Sequence, residues 1–205
     1  MNENEEKKDA NPATPQPQPV YIPKSKWTPI FKFLCAARTT NENRYVLRRV
    51  YCDEVDDIGV LVASDGKRIH ALYNVWSWGF TKGVQYSTTI DKDGISFIPI
   101  TPPDGTIFPN WKSTMQAQPK PLGTLFLKTI KGDANSFITK ASYLLGKHKS
   151  AYLNGAYLKD FCLFDGQCKL NYAGTLDPVV FSGTFGEQVE WKALIMPILC
   201  NPEEN

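Results

Sequence analysis

Histidine is nearly missing from this chain: its 205 residues hold only His70 and His148. Two imidazoles leave little room for His-based metal ligation or general-base catalysis. The five cysteines, Cys35, Cys52, Cys162, Cys168 and Cys200, are odd in number and form no C-x-x-C pair. That pattern fits a reduced, cytoplasmic chain rather than a secreted disulfide scaffold or a zinc site. No apolar run approaches the roughly 20 residues of a membrane span. The opening MNENEEKKDANP lacks the apolar stretch of a signal peptide. A large charge excess is lacking too, since 23 Lys plus Arg against 21 Asp plus Glu leave only +2. That balance argues against histone-like or polybasic nucleic-acid binding driven by charge alone, though not against a light touch on DNA. G-x-S-x-G, H-E-x-x-H and P-loop motifs are all absent. No enzymatic activity, cofactor or metal is therefore expected.

What remains is ordinary globular composition, 42% apolar and 21% charged, in a length that suits one large domain or two small ones. Residues 1–26 read as a tail with five prolines, four acidic and four basic residues. Its run Pro15-Gln16-Pro17-Gln18-Pro19 favours extended polyproline II, either a flexible leader or a docking peptide. A second short polar tail covers 200–205. Between the tails, residues 27–198 carry 19 Lys plus Arg against 15 Asp plus Glu, a net of +4.

Thr28-Pro29 is a helix start, and Ile30, Leu34 and Ala37 fall on one face of the segment that follows. Residues 44–52, Val60–Ser64 and Arg68–Tyr73 read as strands, the last two joined by an Asp65-Gly66 turn. Further strands are expected near 84–90 and 94–100, with a turn at Pro102-Pro103-Asp104-Gly105, and another over Leu122–Ile130. Asp133 caps a helix over 134–145, closed by Gly146, and Asn154 caps another over roughly 155–164. Strands near 167–173, 178–183 and 189–197 complete an α+β chain of short helices on antiparallel sheet.

Arg44-Tyr45-Val46-Leu47, a strand, an acidic turn and then Val62-Ala63-Ser64-Asp65-Gly66-Lys67-Arg68-Ile69 resemble the bacterial DNA sliding clamp, the β processivity subunit. Members carry an R-Y-x-L strand followed by an A-T-D-G-H-R-L hairpin. Gly105-Thr106-Ile107-Phe108-Pro109-Asn110-Trp111-Lys112 is similar to the family's G-x-F-P-D-Y-R/K segment. Asn154-Gly155-Ala156-Tyr157-Leu158-Lys159-Asp160-Phe161 is similar to its N-x-x-Y-L-x-D-A/F helix, and Leu194-Ile195-Met196-Pro197-Ile198 to its closing V-V-M-P-M strand. The four segments occur in the family's order and span more than half of the chain. Ser64 stands for the usual Thr and Lys67 for the His. Family members run to three domains, each of two β-α-β-β-β halves, so this chain holds about one such domain. It covers 27–199, possibly as halves of about 27–118 and 119–199.

The resemblance implies a DNA-clamp-like fold and a non-enzymatic processivity factor that assembles as a homo-oligomeric ring on duplex DNA, without sequence preference. It also implies a hydrophobic cleft for peptides of a DNA polymerase or other replication protein. DNA-facing candidates are Lys32, Arg38, Lys140, Lys147, Lys149 and Lys159, with Lys131 beside them; each is otherwise an ordinary solvated residue. Cleft candidates are Leu47, Ser64, Lys67, Arg68, Ile69, Pro109, Asn154, Tyr157, Met196, Pro197 and Ile198, of which Leu47, Ile69 and Met196 equally suit a core. A compact clamp of this kind suits a bacterial or phage-infected cytoplasm. The alternative is a clamp-fold interaction or structural protein that binds a partner without encircling DNA. The cluster Trp76-Ser77-Trp78-Gly79-Phe80 has no family counterpart and either tucks onto the sheet, forms a subunit contact or stacks single-stranded bases. Asp53, Glu54, Asp56 and Asp57 fit no EF-hand spacing and read as a solvated hairpin tip.

Overall fold

The computed structural model describes residues 16–102 and 106–198. The tail residues 1–15 and 200–205, Cys200, and the Pro103-Asp104-Gly105 part of the expected turn lie outside them. The chain runs β1 (Val20–Pro23), α1 (Thr28–Ala36), a 3-10 segment (Glu42–Arg48), β2 (Val50–Val55), β3 (Ile58–Ser64) and β4 (Arg68–Tyr73). A hairpin of β5 (Gln85–Ile90) and β6 (Gly94–Ile100) follows, then the short helix α2 (Trp111–Gln116). The second half runs β7 (Gly123–Thr129), α3 (Ala134–Lys147), α4 (Gly155–Leu158) with a 3-10 extension (Lys159–Leu163), β8 (Gly166–Tyr172), β9 (Val179–Phe185) and β10 (Val189–Ile195).

All ten strands join one antiparallel sheet in the order β1-β6-β5-β2-β3-β4-β10-β9-β8-β7. Each half traces strand, helix and three strands. The halves meet where β4 pairs with β10, with Ile69 opposite Leu194 and Arg68 opposite Ile195. In the first half the β5–β6 hairpin is inserted between β1 and β2. It occupies chain where the family resemblance would call for a second helix.

Strand alternation sends side chains to two cores. Cys52, Leu61, Ala63 and Leu72 face a large core under α1, α3 and α4, which also holds Phe33, Phe161 and Trp191. Val60, Val62, Ile69, Ala71 and Leu194 face a smaller one with Phe108 and Trp111. Central strand β3 is thus buried on both faces and reads as a continuous apolar run. The two-residue turn between β2 and β3 uses Asp56 and Asp57 at φ of 50° and 63°, the paired left-handed conformations of a type I′ hairpin. Gly59 lies under Trp76, whose ring would sit 2.4 Å from any added Cβ.

Three expectations change. The tail expected over 1–26 ends earlier, because Val20–Pro23 pairs with Gly94–Phe97 as an edge strand and buries Val20 and Ile22. The edge position tolerates Pro23, whose missing N–H costs no ladder bond there. The strand expected over 44–52 begins only at Val50: Asn41 accepts a hydrogen bond from the Asn43 N–H and starts a 3-10 turn instead. The turn brings Val46 onto the smaller core. Helix α2 was not expected, since six residues carry too little periodicity; Asn110 caps it by accepting from the Ser113 N–H at 3.1 Å.

Candidate functional site

The turn between β3 and β4 is set by short side chains bonding their own backbone. Ser64 accepts from the Gly66 N–H and donates to the Arg68 carbonyl, while Asp65 accepts from the Lys67 and Arg68 N–H groups. Gly66 takes φ of +88°, a conformation glycine adopts without strain. After β10 the chain crosses this turn, the Met196 N–H donating to the Lys67 carbonyl.

A cavity of about 190 Å³ opens here, on the sheet face opposite α1 and α3. Ile69 and Leu194 form its apolar floor. Leu47, Phe108, Trp111 and Met196 wall it, and Ser64, Gly66, Lys67, Arg68, Pro109 and Thr114 complete the described lining. Met196, on its wall, is 40% exposed. The wall from Phe108 to Thr114 is held by Asp53, which accepts from Trp111 Nε1 and Lys112 Nζ, both at 2.9 Å. Burial pushes the Asp53 carboxyl up, but the bonds from Lys112, the Glu54 N–H and Trp111 outweigh it and hold the carboxyl below its usual range. Asp53 is therefore structural, and the hairpin tip proper is Asp56-Asp57. Among the described residues no cluster of His, Cys, Asp and Glu has a metal-binding arrangement.

Behind the cavity, Arg68 points to the helix face. Its guanidinium pairs with Asp65 at 3.0 Å and with Asp160, donates to the Ala36 carbonyl, and lies 4.3 Å from the centre of the Tyr157 ring. Those partners engage all three of its nitrogens, so Arg68 braces the site. His70, fully buried, stacks on Phe33 at 4.1 Å and bonds the Phe33 carbonyl through Nδ1 at 2.7 Å. A carbonyl only accepts, so Nδ1 carries the proton and Nε2 is left without a partner, 4.0 Å from Asp160. Burial drives the His70 pKa down to about 3 and raises Asp160 to about 6 against the pull of Arg68. Together with Ala37 and Arg38, these groups close every terminal carbonyl of α1: His70 on Phe33, Ala37 N–H on Leu34, Arg38 on Cys35 and Arg68 on Ala36.

Of the sequence candidates, Leu47, Ser64, Lys67, Arg68, Ile69, Pro109 and Met196 converge on the cavity. Tyr157 joins through Arg68. Asn154 caps α4 by accepting from the Ala156 N–H. Ile198 is tied to the Tyr152 carbonyl through its N–H, one residue beyond half-buried Pro197. Phe108, Trp111, Thr114 and Leu194 also line it; all four lie inside or beside motif segments that could have suggested them. On the helix face, Lys32, Lys140, Lys147, Lys149 and Lys159 are exposed, as is Lys131. Arg38 is not a free surface cation: its guanidinium donates to the carbonyls of Cys35, Arg48 and Thr88. Trp76 donates to the Asp57 carbonyl and Trp78 packs edge-on against Trp27 and Phe31. Neither ring is laid open for base stacking.

No protein-family model and no curated protein matches the chain. Solved structures do. The DNA polymerase III β chain of Streptococcus pneumoniae has a TM-score of 0.55 at 12% identity, over 97% of this chain and 69% of that one. The β subunit of Thermotoga maritima gives 0.53 at 11% identity over 95% and 69%, and the sliding clamp of Bacillus subtilis 0.53 at 13% over 94% and 68%. The chain has the bacterial sliding-clamp fold. Within this clamp fold the cavity occupies the junction of the two half-sheets, and the helices cover the other face. No helix among the described residues is long and apolar enough to cross a membrane.

Proposed function

We propose that the chain is a non-enzymatic, sliding-clamp-like processivity factor that assembles into a ring around duplex DNA and docks a replication protein in the seam cavity. The helix face carries this reading. α1, α3 and α4 contain Lys32, Lys140 and Lys147 and no Asp or Glu. Ammonium groups on flexible stems attract phosphates without fixing geometry, which is what a sliding contact requires. A net of +4 between the tails is modest per copy and adds up inside a shared hole.

One such domain is too small to encircle a duplex, so several copies are needed, joined head to tail. The open sheet edges are β1 and β7. Leu122, Phe126 and Ile130 on and around β7 are 76%, 71% and 45% exposed, a costly display on an uncovered edge. Pairing β7 of one copy with β1 of the next would continue the antiparallel sheet around the ring. The seam cavity is smaller than the roughly 300 Å³ at which small-molecule sites begin. It suits one or two apolar side chains of an extended peptide from a polymerase or other replication protein. The setting is the soluble interior of a bacterial or phage-infected cell.

Native mass measurement at micromolar concentration, with retention on nicked circular DNA, tests the reading. A closed oligomer held on the circle and released on linearisation is expected. A clean monomer that is not retained overturns the ring and leaves a clamp-fold protein that binds partners without encircling DNA.

A further inference from the structure

The inserted β5–β6 hairpin does more than lengthen the sheet. β2 and β5 share only two paired positions, Val50 with Tyr86 and Tyr51 with Gln85. Beyond them β5 continues with β6 alone, while the chain before Val50 turns away as the 3-10 segment. The sheet is therefore split, and a groove of about 770 Å³ opens in the split beside the end of α1. Arg38, Arg48 and Arg49 line it, along with the hydroxyls of Thr39, Thr40 and Thr88. Among the described residues no carboxylate and no aromatic ring lines it.

Arg38 spans the gap from below, donating to the Arg48 carbonyl on one bank and the Thr88 carbonyl on the other. Its partners are neutral, so its charge is not cancelled. Neither Arg38 nor Arg48 makes a salt bridge among the described residues. Arg49 is steered by the Gln85 side chain. The guanidiniums of Arg38 and Arg49 are held by hydrogen bonds and exposed Arg48 stands at the rim; such groups beside hydroxyls match phosphate oxygens in two-pronged geometry. The described lining favours the sugar–phosphate backbone over the bases, because its arginines and hydroxyls match phosphate oxygens and it offers no ring for stacking. The volume falls within the roughly 300–1,000 Å³ of small-ligand sites, ample for more than one phosphate.

We propose that this split-sheet groove grips the backbone phosphates of one nucleic-acid strand. The helix-face lysines are mobile and suited to sliding; the groove is fixed and suited to holding. The inference rests on the DNA-binding reading above and shares Arg38 with its DNA-facing candidates, but Arg48 and Arg49 lie outside them.

Binding of a fluorescein-labelled single-stranded dT16 is measured by anisotropy across a salt series for the full chain, Arg48→Ala and Arg48→Lys. The Arg48 side chain is exposed, so its removal spares the fold. Arg48→Ala should weaken binding about tenfold at low salt and reduce the log K against log salt slope by about 0.7. Arg48→Lys should recover the slope but only part of the affinity. Equal binding by all three proteins overturns the groove. So does Arg48-dependent binding of inorganic phosphate, read by calorimetry, with no Arg48 effect on dT16, because the site then holds a small free anion. Lys140→Ala with Lys147→Ala separates the two readings. If this pair loses retention on circular DNA while Arg48→Ala leaves dT16 binding untouched, the clamp stands and the groove falls. If dT16 binding depends on Arg48 yet the chain is a monomer that never stays on a circle, the groove stands and the ring falls.

Discussion

Replacing His70 with Asn tests the buried strut under the cavity. The imidazole has no exposed surface, donates from Nδ1 to Phe33 and holds its pKa near 3 because burial disfavours the cation. Asp160 stands 4.0 Å from Nε2, but it is engaged by Arg68 and is itself pushed towards neutrality, so it does not rescue the charged ring. A histidine whose folded pKa is depressed stabilises the fold fully above its unfolded value of about 6.5, and that contribution fades as pH falls from there towards 3. Between pH 7 and pH 5 the unfolded chain gains most of a proton that the folded chain refuses. At 1.36 kcal/mol per pKa unit the loss is about 2 kcal/mol. Asn can keep a donor near the Phe33 carbonyl but cannot titrate. It should lower stability at pH 7 by about 2 kcal/mol through the lost ring while flattening the acid limb. Urea unfolding of both proteins from pH 7 to pH 5 measures the difference. Parallel curves, or a His70 resonance titrating near 6.5, would refute the account. Asp160 acts in the opposite sense: its raised pKa favours the fold at low pH, and that benefit is lost as pH rises from about 4 to about 6. The term is common to both proteins and cancels.

Three further outcomes follow from specific contacts. Asp53→Ala removes the acceptor for Trp111 and Lys112 and should cost about 2 kcal/mol, with a shift in indole fluorescence as the cavity wall loosens; unchanged unfolding would mean that α2 is held by packing alone. Gly59→Ala drives a methyl into the Trp76 ring and should destabilise by about 1–3 kcal/mol; a neutral result would place that ring elsewhere. Cys35, Cys52, Cys162 and Cys168 are buried and their thiols are raised by burial, Cys52 and Cys168 to about 12. A thiol reagent at neutral pH should therefore modify at most one cysteine per native chain, Cys200, and rapid modification of a second would contradict this packing.

Most strands were readable because their alternation and turn chemistry are local. Ile58–Ser64 and Arg68–Tyr73 around Asp65-Gly66 need only period-two patterning and a glycine with positive φ. The helix from Ala134 is likewise readable from its Asp133 cap and apolar spacing. Where long-range contacts decide, local signals fall short. Val20–Pro23 looks like the end of a proline-rich tail and becomes a strand only because β6 offers an unpaired edge. Arg44–Arg48 has strand propensity but is turned aside so that Val46 can cover the second core. Arg38 looks like one more surface cation until the split between β2 and β5 places two carbonyls within its reach.

Short-range periodicity and turn chemistry make the α+β class and the order of most elements legible. The cleft candidates came from the family resemblance; of them Leu47, Ser64, Lys67, Arg68, Ile69, Pro109 and Met196 line the seam cavity, while Phe108, Trp111, Thr114 and Leu194 were not among them. The strand order, the pairing of β4 with β10, the inserted hairpin and the arginine groove arise from long-range contacts. Pairing depends on which edges meet across long stretches of chain, where each strand's own pattern is equally satisfied by several neighbours.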